Sequence, residues 1–235
     1  MASIDLDSDL LNFLARSAYE PGDRLPTINE LQRDDLLGIS ASKVREQLEV
    51  ARALGLVDVR SRTGMRLKTY SFAPAVRLSL FYALARDLRN FEQFSELRTH
   101  LELAYWHEGC ALLTPDDTAM MRECVEQARA KLNDHWIQIP NREHRVFHLT
   151  MFQRLDNPFV LGILEAYWDA YEAVEPYRYA EYDYLTLVWD YHERILNHLC
   201  AGEYEAARAA FLEHTRLLRY PTRVENGSAA APISE

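Results

Sequence analysis

Gly38-Ile39-Ser40-Ala41-Ser42-Lys43-Val44-Arg45-Glu46-Gln47-Leu48 decides the fold of the front of this 235-residue chain. Gly38 supplies a tight turn, and Ser40 is a natural N-cap whose hydroxyl takes an orphan backbone N–H. After it, Val44, Leu48, Ala51 and Leu54 recur at helical spacing, so one face is buried. The opposite face offers Ser42, Lys43 and Arg45 within the first two turns. A tight turn followed by such a helix is the second half of a helix-turn-helix. The first turns of that helix reach base edges and phosphates in a major groove.

The flanks fit this reading. Upstream, residues 5–18 are an amphipathic helix with Leu6, Leu10, Phe13 and Leu14 on one side. Pro21-Gly22-Asp23-Arg24-Leu25-Pro26 breaks it with a turn. Thr27, with Glu30 three residues on, forms a capping box for a helix expected over Ile28–Leu36. Downstream, Leu56–Arg60 alternates as a strand, Ser61-Arg62-Thr63-Gly64 is a turn, and Met65–Lys68 returns as a second strand. Such a hairpin is a wing, and Arg60, Arg62 and Arg66 would face DNA; otherwise they are the charges of a solvated basic hairpin. Residues 1–70 therefore read as a winged helix-turn-helix domain.

Charge distribution separates this module from the rest. The chain carries a net charge of −10, which on its face argues against nucleic acid. Residues 40–70, however, hold seven basic residues against three acids. Residues 71–235 hold sixteen basic and twenty-five acidic residues, or −9. A locally basic module is thus attached to an acidic body. No window approaches eighteen uncharged apolar residues and the N-terminus is acidic, so neither a membrane span nor a signal peptide is expected, and the chain is placed in the cytoplasm. Cys110, Cys124 and Cys200 stand at unrelated spacings and read as ordinary buried thiols of a reducing compartment.

Thr69–Pro74 is an uncharged linker, and from Ala75 onward the pattern is helical only. Helices are expected over Ala75–Asn90, Phe94–Leu113, Thr114–His135, Asn141–Leu155, Asn157–Val174, Glu181–Leu199 and Glu203–Arg219. Residues 75–220 read as an all-helical domain, and residues 221–235, small and polar, as a disordered tail. The fold class is mainly α: a winged helix-turn-helix with a small β-hairpin, followed by a helical bundle.

Several fixed spacings agree together over residues 10–68. Pro21–Pro26, Ile39-Ser40, Val44–Leu48 and Leu54-Gly55-Leu56-Val57 resemble the DNA-binding domain of GntR-type transcription regulators. By that resemblance Ser40, Ser42, Lys43 and Arg45 align with operator-contacting positions, and Thr63-Gly64 with the wing tip. Two departures stand out: Asp34–Leu37 is one residue longer than usual, and Ala41 stands where many members carry a base-reading arginine.

His144 and His148, four apart, share a face of one expected helix; His192 and His214 lie on the last two. Phe147-His148, Tyr191–Leu196, Gly202–Ala207 and Glu213-His214 resemble the FCD ligand-sensing domain that commonly follows a GntR-type module. The resemblance implies a divalent ion held by an aspartate and three histidines, which carry over to His148, His192 and His214. The aspartate position is His144 here. Either four imidazoles bind the ion or His144 turns away and three do; a metal-free polar cavity is the bland alternative. Imidazole ligation suits zinc first, and also nickel, copper or iron, over magnesium or calcium. The remaining histidines, His100, His107, His135 and His198, read as ordinary surface or partly buried residues.

Arg98 matches the family's arginine at the pocket. It is either a bidentate clamp for the carboxylate of a small acidic effector or the i,i+4 partner of Glu102. Tyr105, Trp106, Trp168, Tyr171, Tyr177, Tyr179, Tyr182, Tyr184 and Trp189 form an aromatic set for core, interface or pocket. The resemblance implies a homodimer on palindromic operator DNA, commonly a repressor released by its effector. A dedicated metal sensor is the alternative. A metal-dependent hydrolase is the weakest reading: Arg145 stands where helical zinc proteases carry a glutamate after the first histidine, and the DNA-binding module would be unexplained.

Overall fold

A computed structural model describes residues 4–60, 64–135, 138–174 and 182–217. Helix α1 (Asp9–Arg16) is shorter than expected, because Ser8 caps it from the Leu11 amide. The Thr27–Glu30 capping box is present at α2 (Ile28–Leu31). That helix stops after one turn, not at Leu36, as Leu37 N donates to Leu31 O and Gly38 N to Arg33 O, curling the chain into the turn. Gly38, at φ +63°, takes the left-handed conformation the turn requires. Helix α3 (Ala41–Ala53) starts on its Ser40 cap.

Strands β1 (Val57–Arg60) and β2 (Gly64–Leu67) pair antiparallel, with Val57 opposite Leu67 and Arg60 opposite Gly64. Leu10, Leu14, Leu31, Val44, Leu48, Val57 and Met65 form the core beneath them. The Pro21–Pro26 stretch does more than turn. Gly22 N donates to Leu67 O, Leu67 N to Asp23 O and Leu25 N to Met65 O, so this segment lies along β2 as a third edge.

The second domain holds eight helices among the described residues, one more than expected: α4 (Ala73–Arg86), α5 (Asn90–Ala104), α6 (Trp106–Ala111), α7 (Pro115–Leu132), α8 (Asn141–Phe152), α9 (Pro158–Val174), α10 (Tyr182–Cys200) and α11 (Tyr204–Thr215). The expected Phe94–Leu113 helix breaks at Tyr105. The break turns Trp106 fully inward, where its indole N–H donates to Tyr204 O, tying α6 to α11. Thr114 and Asp117 make a capping box at α7, with Pro115 at the first position. Helix α4 begins at Ala73, two residues before the expected domain start.

Two apolar clusters build this domain. One joins α6, α7, α8, α10 and α11 through residues such as Met121, Phe147, Trp189, Ile195 and Phe211. The other joins α4, α5 and α9 through Leu80, Leu84, Phe91, Tyr167 and Trp168. Helix α8 packs into the first cluster through Phe147, Met151 and Phe152, and the same buried side carries His144 and His148. The C-terminal stretch 221–235, Tyr177 and Tyr179 lie outside the described residues.

Candidate functional site

Helix α8 contributes His144 and His148, α10 contributes His192, and α11 contributes His214; all four are buried. One ring nitrogen from each falls within 4.8 Å of the others, so all four are brought to one point. Trp168 and Tyr171 of α9, Phe147 of α8 and Trp189 of α10 pack edge-on or tilted against these rings. The aromatic walls restrict the imidazole planes.

The described contacts specify how some of the rings are turned. His192 Nδ1 lies 2.6 Å from Val188 O, an acceptor, so Nδ1 carries the proton and Nε2 is bare. His148 Nε2 lies 3.1 Å from that bare Nε2. Two lone pairs repel at this separation, so a proton or a cation must lie between them. His214 Nδ1 is buried without a hydrogen bond. Burial is the first cause of the imidazole shifts: it takes His192 down to about 3 and holds His148 and His214 well below the ordinary value, with the Arg98 charge adding to it. Neutral donors without competing protons are what a borderline transition ion binds.

Arg98, only 1% exposed, lies beneath the cluster with its guanidinium carbon 4.8 Å from the centre of the Tyr167 ring. Of the two roles expected for it, the pairing with Glu102 is present. Its Nε is 2.8 Å from Glu102 Oε2, and its Nη2 is 2.8 Å from His148 Nδ1. The contact to Glu102 is close but poorly aligned, so Arg98 Nε and both carboxylate oxygens lack a directed hydrogen bond. Burial pushes the Glu102 carboxyl up to about 7, against the pull of Arg98. From the sequence, Glu102 stands out only as an i,i+4 partner for Arg98. The Arg-x-x-x-Glu spacing on a helix facing the histidines was the signal that it too belongs to the site.

A cavity of about 10 Å³ borders His144, between Pro140, Tyr171, Tyr184 and Trp189, with room for about one water-sized species. A larger apolar groove of about 550 Å³ runs between α4 and α5, away from the histidines and lined by no charged residue. His100, His107 and His135 are exposed and His198 half-buried, as expected. Cys200 is exposed, which corrects the expectation of three buried thiols; burial raises Cys110 to about 12 and Cys124 to about 11, so both are inert.

In the first domain Ser42, Lys43 and Arg45 are exposed on α3, and the Ser40 hydroxyl accepts from the Lys43 amide. Lys43 Nζ sits 2.9 Å from Asp9 of α1, so a phosphate must compete with that carboxylate. Gly64 opens β2 at φ +77°, while Arg62 and Thr63 lie outside the described residues. Arg66 is turned back onto Gly22 O at 2.6 Å and Arg60 onto Asp58 at 2.8 Å, rather than held outward.

A family model described as the FCD domain matches residues 93–217, more than half of the chain. The chain belongs to the FCD-domain family. Over 220 residues it is 28% identical to the HTH-type transcriptional regulator McbR of Escherichia coli K12, covering 90% of this chain and 88% of that one. It is 23% identical over 200 residues to the HTH-type transcriptional regulator LutR of Bacillus subtilis 168, covering 83% and 89%. The solved structure of Streptococcus agalactiae GntR superposes with a TM-score of 0.60 at 18% identity, covering 88% of this chain and 94% of that one. The FCD-domain protein is therefore a transcription regulator of the GntR type, with a winged helix-turn-helix ahead of its helical domain, and not an enzyme. No helix among the described residues is long and apolar enough to cross a membrane.

Proposed function

We propose that this regulator is a cytoplasmic homodimer, and a repressor, whose affinity for a palindromic operator is set by a divalent transition metal and a small carboxylate effector. Zinc is the first choice of ion. The observation that carries the reading is the convergence of His144, His148, His192 and His214 within 4.8 Å in a buried, aromatic-walled site. Four neutral nitrogens from three helices suit a tetrahedral ion, with His144 in the ligand set. The effector's carboxylate would take the ion from four- to five-coordinate and meet the Arg98 fork, displacing Glu102 from the guanidinium. Its differential affinity for one arrangement of the two DNA-binding modules would shift the population between them. At the operator, Ser40, Ser42, Lys43 and Arg45 would enter the major groove, with Arg62, Thr63 and Gly64 at the wing.

A metal-only sensor is the second reading, favoured by the burial of Arg98 and its contact with Glu102. One series of measurements separates the two. Selection of bound duplexes from a random DNA pool gives the operator probe. Metal-stripped protein is then titrated with zinc, and zinc-loaded protein with simple mono- and dicarboxylates. A carboxylate response that needs zinc supports the first reading; a response to zinc alone supports the second. Arg45→Ala should weaken operator binding by about 1–3 kcal/mol. Operator affinity indifferent to zinc and carboxylates alike would remove both readings.

A further inference from the structure

We propose that Glu102 is the positioning residue of the histidine centre. It accepts the Nδ1 proton of His148, so that His148 presents Nε2 to the ion, and it supplies the negative charge that four imidazoles lack. The inference rests on the metal reading above and deepens it.

His148 is fully buried, with Nε2 turned toward His192 Nε2 and Nδ1 turned toward the Arg98–Glu102 pair. Glu102 Oε1 stands 3.3 Å from His148 Nδ1, and Arg98 Nη2 stands 2.8 Å from the same atom. A guanidinium only donates and a carboxylate only accepts, so the two cannot serve Nδ1 at once. With the proton on Nε2, His148 donates to His192 and Nδ1 accepts from Arg98. With Nε2 given to an ion, the proton resides on Nδ1 and Arg98 has nothing to donate to. Among the described residues, Glu102 is then the acceptor within reach. Arg98 and Glu102 thus alternate at one atom, according to what His148 Nε2 holds.

Charge points the same way. Four neutral imidazoles leave a divalent ion uncompensated, and Arg98 adds a further positive charge beneath it. Glu102 is the one carboxylate in contact with the cluster among the described residues, and its oxygens lack directed hydrogen bonds. A carboxylate behind a ligating imidazole fixes the ring's tautomer and raises its basicity, and losing one typically weakens metal binding about 10–100-fold.

The test measures zinc affinity of the full chain by competition with a chromogenic chelator, for wild type, Glu102→Gln and Arg98→Met, with circular dichroism to check folding. Glu102→Gln should bind zinc about 10–100-fold more weakly. Arg98→Met should bind it at least as tightly as wild type, since it removes a cation and a competing donor. Equal weakening in both variants would mean that the pair merely pins α5, and unchanged affinity in Glu102→Gln would remove Glu102 from the site; either overturns the proposal. Nitrogen-15 NMR of zinc-loaded wild type tests it without any variant: His148 should show a protonated Nδ1 and a metal-bound Nε2, and the reverse tautomer overturns it. Failure of wild type to take up zinc would instead remove the metal reading before any variant is compared.

Discussion

Asp117 shows how a single carboxylate locks two helices. Its oxygens accept from the Thr114 amide and hydroxyl at the start of α7, and from Gln153 and Arg154 just past the end of α8. Arg154 beside it is the first cause holding its carboxyl well below the ordinary aspartate range. A depressed folded-state value means that this stabilisation is fully present above the unfolded value and fades as pH falls through the folded one. Asp117→Asn should therefore cost about 1–2 kcal/mol at neutral pH, after discounting for the half-exposed guanidinium. In urea unfolding, the gap between wild type and variant should stay constant from about pH 7 to 5 and shrink below the ordinary value of 3.8. A gap that persists in acid would assign the effect to shape rather than charge. At this scale much was legible: the four histidines follow from resemblance and helical spacing. The pairing of Lys43 with Asp9, of Arg66 with Gly22 and of Glu102 with His148 was not, since each joins residues whose proximity only the tertiary fold creates.

At the scale of elements, legibility followed the caps. Where a cap is spelled out, as at Ser40, Thr27, Thr114-Pro115 and Asn157-Pro158, the helix start stands where the sequence places it. The break at Tyr105 and the pairing of residues 22–25 with β2 carry no local signal; burial of Trp106 and a sheet edge dictate them. Gly162, in the middle of α9, belongs with these hidden determinants. An added Cβ there would stand 2.6 Å from Phe72 Cβ and 2.7 Å from the Ala73 amide, so the absence of a side chain lets the start of α4 lie directly on α9. Since one contact is backbone, α4 must move for an alanine to fit. Gly162→Ala should lower stability by about 1–3 kcal/mol, despite alanine's better helix propensity. Urea unfolding checks the magnitude, and a gain in stability would show that α4 docks less tightly than the contact implies. Because α4 follows the hairpin after a short linker and α9 supplies Trp168 and Tyr171 to the histidines, this contact also lies between the hairpin and the histidine cluster.

The whole molecule joins a reading head, basic only over its recognition helix and hairpin, to a helical body whose polar centre is assembled from distant parts of the chain. His148 and His192 are 44 positions apart, yet their rings touch only in the folded domain. An unfolded chain cannot hold the four nitrogens together, so an ion bound there stabilises the folded state by mass action. At free zinc about a hundred times its dissociation constant, the gain is about 2.7 kcal/mol. For a domain of this size, each kcal/mol moves the melting temperature by about 2–4 °C, which predicts a rise of roughly 5–11 °C on zinc loading. The reading head has its own core, formed by α1, α2, α3 and the hairpin, and among the described residues it adds nothing to the histidine cluster. If calorimetry resolves two transitions, that of the helical domain should move more with zinc. His214→Ala removes one nitrogen and the α11 anchor together, so its shift with zinc should collapse whatever its own starting stability. A full shift retained in that variant would place the ion away from the four histidines. A shift in both transitions would mean that the ion also tightens the seat of the reading head on the body, the coupling that control of operator affinity needs.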